Sequence, residues 1–278
     1  MTIRILATGA AGMVGSYLPE VVERLTHADL DVTDRLAVER RIAASRPDVV
    51  LHLAAATNVD RAEHERLHAF RTNVLGTLHV ALACEATGSR MVYVSTGSVF
   101  GGEKRASVET DQPDPSTFYA WTKYEGEQVV QDLLPDALIV RTGWMMGGGP
   151  NMDHKFVGTM ARLLRTERVV RAVADRFGSP TYARQFLAAT LRLAESGATG
   201  IWHCASEGIC SRYEMAVEMA RLLGFDGQVV AVDSSAFAGG APRGASEGLD
   251  CAQLRAAGLG LPDWRAALAE YLTEFRAG

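Results

Sequence analysis

The chain has 278 residues, of which 47% are hydrophobic, 22% charged and 7% aromatic. This is the balance of an ordinary globular protein and excludes disordered and fibrous classes. A formal charge of −5, from 28 Lys and Arg against 33 Asp and Glu, gives no basic surface for nucleic acid or an anionic membrane. No apolar run approaches the roughly 18 residues of a membrane span, and residues 3–7 are too short and too charged for a signal sequence.

The cysteines and histidines give no sign of a metal or a disulfide framework. No C-x-x-C pair occurs, and each of the four cysteines lies in an apolar or small-residue stretch: Cys84, Cys204, Cys210 and Cys251. We expect buried free thiols in a reducing cytoplasm. The seven histidines form no H-E-x-x-H or similar spacing, so we predict no catalytic metal.

Short β-branched runs recur along the chain and predict strands. They cover residues 3–7, 49–53, 91–95, 138–141, 169–173 and 201–204. Most are separated by stretches with helical spacing, at residues 36–44, 70–86, 119–134 and 156–165. Because the strands are apolar on both faces and alternate with helices, we predict a Rossmann-type, doubly wound α/β fold with a parallel sheet covered on two sides.

A strong breaker at residues 147–150, Gly-Gly-Gly-Pro, marks a domain boundary. Beyond it we predict an amphipathic helix at 213–223, a loop at 234–248 and a terminal helix at 264–275. We therefore expect a dinucleotide-binding domain at 1–146, to which 166–205 returns. Residues 147–165 and 206–278 are expected to form a smaller C-terminal substrate-binding lid over the carboxyl ends of the strands.

The first strand runs directly into a glycine-rich turn, Thr8-Gly-Ala-Ala-Gly-Met-Val-Gly15. An apolar-periodic segment follows and predicts a helix. In this arrangement Gly9 allows a tight turn, Gly12 lets the backbone approach a pyrophosphate, and Gly15 permits close packing of helix on strand. A turn without a ligand is the alternative, but the strand-turn-helix context at the N-terminus favours a dinucleotide site.

A second chemical signal is Tyr119 followed by Lys123. Four positions apart they share a helix face, where an ammonium favours the phenolate and lowers a phenol pKa that is near 10 in solution. A lysine snorkelling beside a half-buried tyrosine would give the same spacing. The strand ending in Ser95 and Thr96 places hydroxyls in the crevice of the predicted dinucleotide, which favours a catalytic set.

These residues resemble the extended short-chain dehydrogenase/reductases. Ordered strings at 29–34, 46–50, 54–63, 73–77, 141–144, 178–182 and 261–265 are similar to the dTDP-4-dehydrorhamnose reductases over nearly the whole chain. The resemblance implies that Thr96, Tyr119 and Lys123 are catalytic. It implies a substrate set of Thr57, Val59, Ser98 and Trp144. For NADPH or NADH it implies contacts from Gly9, Gly12, Met13, Val14, Gly15, Asp31, Val32, Ala54, Ala55, Ala56, Tyr119 and Lys123.

The family pattern is broken in three places. Gly97-Ser-Val-Phe-Gly-Gly102 stands where the family usually has Asp-Tyr-Val-Phe-Asp-Gly, so an aromatic expected on the substrate is missing. Arg243-Gly-Ala-Ser-Glu247 replaces Arg-Pro-x-Asn-Ser. The stretch from Gly15 to Asp29 is short, which predicts a truncated or rerouted second strand. The choice between NAD and NADP therefore stays open, and Arg24 is a candidate to bind a 2′-phosphate of NADP.

The resemblance implies NAD(P)H-dependent reduction of the 4-keto group of a nucleotide-activated deoxysugar, and a homodimer. Dehydration is disfavoured because Gly97 and Ser98 cannot supply an acid/base pair. Two alternatives stay open. One is a sugar-nucleotide epimerase of the same superfamily, and the other is a non-catalytic regulatory subunit similar to that of methionine adenosyltransferase. A small-residue packing role for Ala54 to Ala56 and a core role for Trp144 are also open.

Overall fold

A computed structural model describes residues 3–237 and 239–275. Within them the strands are β1 (Ile5–Thr8), β2 (Glu23–Leu25), β3 (Val49–His52), β4 (Arg90–Thr96), β5 (Leu138–Thr142), β6 (Trp144–Met146), β7 (Val169–Val173), β8 (Phe177–Gly178), β9 (Pro180–Tyr182), β10 (Gly200–His203), β11 (Cys210–Ser211), β12 (Gln228–Val232) and β13 (Ser246–Glu247). The α-helices are α1 (Arg35–Ser45), α2 (Val59–His64), α3 (Arg66–Phe70), α4 (Gly76–Thr87), α5 (Phe118–Leu133), α6 (Gly149–Met152), α7 (Phe156–Thr166), α8 (Ala183–Glu195), α9 (Arg212–Leu223), α10 (Ala252–Ala256) and α11 (Trp264–Leu272).

The main sheet has six parallel strands in the order β10-β5-β4-β3-β1-β2. Alternate strand residues face opposite sides: Val50 packs with α1, α4 and α5, whereas Val49 and Leu51 pack with α8 and α10. Both faces are thus covered by helices, which explains the continuous apolar runs. The predicted doubly wound α/β class is confirmed.

The segment after the glycine-rich turn is not the predicted α-helix. Gly15–Tyr17 forms a single 3₁₀ turn, in which Leu18 donates its N–H to the Gly15 carbonyl. Pro19 follows and has no N–H with which to continue a helix. The second strand is only three residues long and pairs with β1, so the prediction of a truncated strand is confirmed.

Residues 169–173 form a strand, but not in the main sheet. β7 pairs in parallel with β12 in a separate two-stranded sheet, and Val169 and Arg171 are exposed. A strand with one exposed face fits such a sheet better than a doubly covered one. Helix α8, which the sequence did not predict, leads into β10 and returns the chain to the main sheet.

A second core lies in the C-terminal part, where α7, α9 and α11 pack around β6, β7 and β9. Helix α9 begins with a capping box between Ser211 and Glu214, which fixes the first residue of the helix, Arg212. The four cysteines are free and buried, as predicted. None of the helices in the described residues is long and apolar enough to cross a bilayer.

Candidate active site

The glycine-rich turn leaves β1 at the carboxyl edge of the main sheet. Gly9 has a φ of +66°, in the left-handed region that favours glycine. A Cβ at this position would lie 2.5 Å from the backbone nitrogen of Ala54. Residue 9 must therefore be glycine both for the turn and for the close approach of the segment that follows β3.

The other two glycines differ from each other in their surroundings. A Cβ on Gly15 would collide with the carbonyl of Ala10. Gly15 therefore lets the turn fold closely on itself, whereas we predicted that it would pack a helix on a strand. Gly12 is exposed, and a Cβ there would meet only the Gly9 carbonyl oxygen, at 3.2 Å. The protein leaves space above Gly12, flanked by half-buried Met13 and Val14, and this open backbone fits a dinucleotide phosphate.

The remaining predicted cofactor residues lie on the loops after β2 and β3. Val32 is buried, packs close to Gly76 of α4 and accepts a hydrogen bond from His79 Nδ1 at 2.9 Å, while Asp31 is exposed. Ala54, Ala55 and Ala56 are half-buried. Since Ala54 touches Gly9, this small-residue run borders the glycine-rich turn.

Asn73 fixes the alanine run to the helix that carries Tyr119. Its Oδ1 accepts a hydrogen bond from Ala56 N at 2.8 Å, and its Nδ2 donates to Ala56 O at 3.1 Å and to Thr122 Oγ1 at 2.9 Å. Asn73 lies in a π-helical turn between α3 and α4 and is fully buried. Asn73 therefore holds the segment after β3 against α5.

Tyr119 lies in the first turn of α5, whose N-terminus is capped by the Thr117 hydroxyl. Burial raises the pKa of Tyr119 to about 12, the negative charge of Glu247 adds to this effect, and a hydrogen bond with Thr96 opposes it. We predicted that Lys123 would lower this pKa. That prediction is wrong, because burial disfavours the charged phenolate and has the largest influence on this pKa. The phenol therefore holds its proton at neutral pH.

Lys123 is 3% exposed and lies one helical turn below Tyr119. Its Nζ is 4.0 Å from the centroid of the Tyr93 ring, a cation–π contact. Burial lowers the pKa of Lys123 to about 7, although Glu127, a further turn along the helix, raises it. The lysine can therefore change protonation state near neutral pH.

A buried ion pair supports this helix face. Arg141 of β5 donates two hydrogen bonds to the Glu127 carboxylate, Nε to Oε1 at 2.9 Å and Nη2 to Oε2 at 2.7 Å. Ser95 of β4 donates to the same carboxylate at 2.5 Å. These contacts join α5 to the two central strands, so Tyr119 and Lys123 have a fixed position relative to Thr96.

The predicted substrate residues surround this centre unevenly. Val59 packs with Ala62, Ala69 and Tyr119, whereas Thr57 is exposed at the end of its loop. Ser98 receives a hydrogen bond from the Thr96 hydroxyl at 3.2 Å. Val59 and Ser98 therefore lie beside the predicted catalytic residues.

Trp144, the fourth predicted substrate residue, contacts Glu247 and Arg212, which the sequence analysis did not assign to the site. Its indole Nε1 donates to Glu247 Oε2 at 2.7 Å, and the guanidinium carbon of Arg212 is 3.5 Å from the ring centroid. Trp144 is half-buried. In the sequence Glu247 differs from the family pattern, but no spacing in the chain links it to Arg212.

The fold and this arrangement define an extended short-chain dehydrogenase/reductase: a Rossmann-type sheet, an open glycine-rich turn, and Thr, Tyr and Lys at one crevice. In the described residues no group of three or more His, Cys, Asp and Glu side chains could hold a metal ion. A family model for the RmlD substrate binding domain matches residues 3–277. The chain belongs to the dTDP-4-dehydrorhamnose reductase family.

Individual relatives match over most of the chain. The dTDP-4-dehydrorhamnose reductase of Mycobacterium tuberculosis (strain H37Rv) is 39% identical over 284 residues, covering 97% of this chain and 92% of its own. The dTDP-4-keto-6-deoxy-D-glucose reductase of Streptomyces niveus is 38% identical and covers 86% of each chain. The structure of the Bacillus anthracis dTDP-4-dehydrorhamnose reductase in complex with NADP superimposes with a TM-score of 0.93, at 32% identity over 99% of this chain and 100% of that one.

Proposed function

We propose that the protein reduces the 4-keto group of a dTDP-linked deoxysugar, with a reduced nicotinamide as hydride donor. The observation that carries this proposal is the convergence of Thr96, Tyr119 and Lys123 at the carboxyl edge of the sheet, beside the open glycine-rich turn. The names of the Mycobacterium tuberculosis and Streptomyces niveus relatives support a dTDP-sugar ketone as the substrate.

In this mechanism the bound nicotinamide supplies a hydride for the carbonyl carbon. Tyr119 donates its proton to the developing alkoxide oxygen, and its raised pKa keeps that proton in place until then. The Thr96 hydroxyl orients the carbonyl oxygen beside the phenol. Protonated Lys123, one turn away on the same buried face, stabilises the phenolate that is left.

The cofactor-binding role of the glycine-rich turn, of Asp31 and Val32, and of Ala54 to Ala56 belongs to the same proposal. The NADP complex of the Bacillus anthracis relative supports NADPH as the cofactor. Arg24 is exposed, and one nitrogen of its guanidinium donates to the Leu18 carbonyl, so it stays the candidate partner for a 2′-phosphate. Thr57, Val59, Ser98 and Trp144 are proposed to contact the substrate.

The test is a screen of dTDP-, UDP-, GDP- and CDP-linked 4-keto sugars with NADPH and with NADH. We expect one NADPH to be oxidised for each dTDP-4-keto sugar consumed. A sugar change without net oxidation would indicate an epimerase. No oxidation with any sugar, together with co-purification of a synthetase, would favour a regulatory subunit.

Three further parts of the proposal concern organisation. Residues 1–146 would bind the dinucleotide together with α8 and β10, the part of 166–205 that returns to the main sheet. Residues 147–165 and 206–278 would bind the substrate. Buried free thiols support a reducing, cytoplasmic location. The homodimer rests on the family resemblance, and light scattering of the purified protein would test it.

A further inference from the structure

Glu247 brings a carboxylate to the predicted catalytic centre from a distant part of the chain. It ends β13, which pairs with β8 so that Glu247 stands opposite Gly178. The residue after Thr96 is Gly97, and a Cβ there would lie 3.0 Å from the Glu247 carbonyl oxygen. With no side chain at residue 97, β13 can lie directly against the strand end that carries Thr96.

The two carboxylate oxygens of Glu247 differ in their partners. Oε2 accepts the indole N–H of Trp144 at 2.7 Å. Among residues 3–237 and 239–275, nothing donates a hydrogen bond to Oε1. The negative charge of Glu247 contributes to raising the pKa of the Tyr119 phenol and opposes the lowering of the Arg212 pKa by burial. The side chain is half-buried, so its free oxygen is open to a ligand.

Trp144 holds this carboxylate in position, and Arg212 lies on the Trp144 ring. The Arg212 guanidinium carbon lies 3.5 Å from the Trp144 ring centroid and 4.7 Å from that of Phe156. Gly178 packs so closely on the indole that a Cβ would collide with it. The Trp144 ring, and with it the donor to Glu247, is therefore fixed before any substrate arrives.

We propose that Glu247 is a substrate-binding residue whose free carboxylate oxygen accepts a hydrogen bond from a hydroxyl of the sugar ring. This inference rests on the proposed function, which places the keto oxygen at Tyr119 and hence the sugar ring next to it. A carboxylate accepts hydrogen bonds but donates none, and it repels phosphate. It therefore selects the hydroxyl-bearing part of a nucleotide sugar and not the diphosphate.

The experiment measures calorimetric binding of two probes to the protein with NADP⁺: dTDP-rhamnose, the product of reducing dTDP-4-dehydrorhamnose, and dTDP alone. We expect Glu247→Gln and Glu247→Ala to weaken dTDP-rhamnose binding by roughly 10- to 100-fold, the range for a hydrogen bond to a charged group, with dTDP binding little changed. Glu195→Gln, an exposed carboxylate at the end of α8, is the matched control and should bind both probes normally.

A second variant distinguishes direct binding of the sugar by Glu247 from a role in which Glu247 only positions the Trp144 indole. The effect of Glu247→Gln on dTDP-rhamnose should persist in a Trp144→Phe background, and its disappearance there would overturn the proposal. Equal losses for both probes, or no loss, would also overturn it while leaving the proposed function intact. Wild-type protein that binds neither probe would instead refute the proposed function, and the inference with it.

Discussion

The two sides of the crevice are built differently. On the sheet side, Thr96, Tyr119 and Lys123 are each at most 9% exposed, and the Glu127–Arg141 pair fixes the helix that carries the last two. On the other side, Trp144, Arg212 and Glu247 are half-buried and come from three separate elements. The sheet side holds its side chains in fixed positions, which suits proton transfer. The second side has partly exposed polar groups, which suit the binding of a ligand.

The largest effect should come from breaking the support of the sheet side. Glu127→Ala leaves the buried Arg141 without its carboxylate, so we expect the free energy of unfolding to fall by about 3–5 kcal/mol. Urea denaturation at neutral pH measures it, with Glu195→Ala as the control. A change no larger than that of the control would show that the ion pair does not hold the two elements together.

Removing the phenol should affect turnover and leave binding intact. For Tyr119→Phe we expect kcat to drop by roughly 100-fold or more, the contribution of a positioned general acid, with NADPH affinity and thermal stability close to wild type. Stopped-flow absorbance with a dTDP-4-keto sugar would measure the rate. Near-normal turnover would remove Tyr119 from the proton-donor role.

The sheet side could be predicted from the sequence because its signals are local. Tyr119 and Lys123 are four residues apart on one helix, and Gly9 directly follows a strand. Two predictions were wrong. Burial, which depends on tertiary packing, and not Lys123 sets the Tyr119 pKa, and Pro19 prevents the helix that we expected after the glycine-rich turn. Glu247 meets Trp144 only through the pairing of β13 with β8, a register that no spacing in the chain reveals.

Lys123 should show the stability cost of the buried sheet side. Its pKa in the folded protein is lowered to about 7 from 10.5, so the unfolded chain binds the proton more tightly and stability is lost as the pH falls from 10.5 towards 7. We expect Lys123→Met to abolish turnover and to raise the free energy of unfolding at pH 7 by about 1–3 kcal/mol. This gain should shrink as the pH rises towards 10.5. Denaturant titrations at pH 7, 8.5 and 10 would detect the trend, and a gain independent of pH would contradict it.

The smallest effect should come from the second side. Arg212→Lys keeps the positive charge but loses the planar group that lies on Trp144, an interaction worth about 0.5–1 kcal/mol at a partly exposed site. We expect KM for the dTDP-sugar to rise by roughly 2- to 5-fold and the urea midpoint to fall slightly, with kcat unchanged, because Arg212 positions a binding group and takes no part in proton transfer. Steady-state kinetics with saturating NADPH would separate the two constants. A fall in kcat as large as that of Tyr119→Phe would show that the two sides do not act independently, and that the position of the indole governs the chemical step as well as binding.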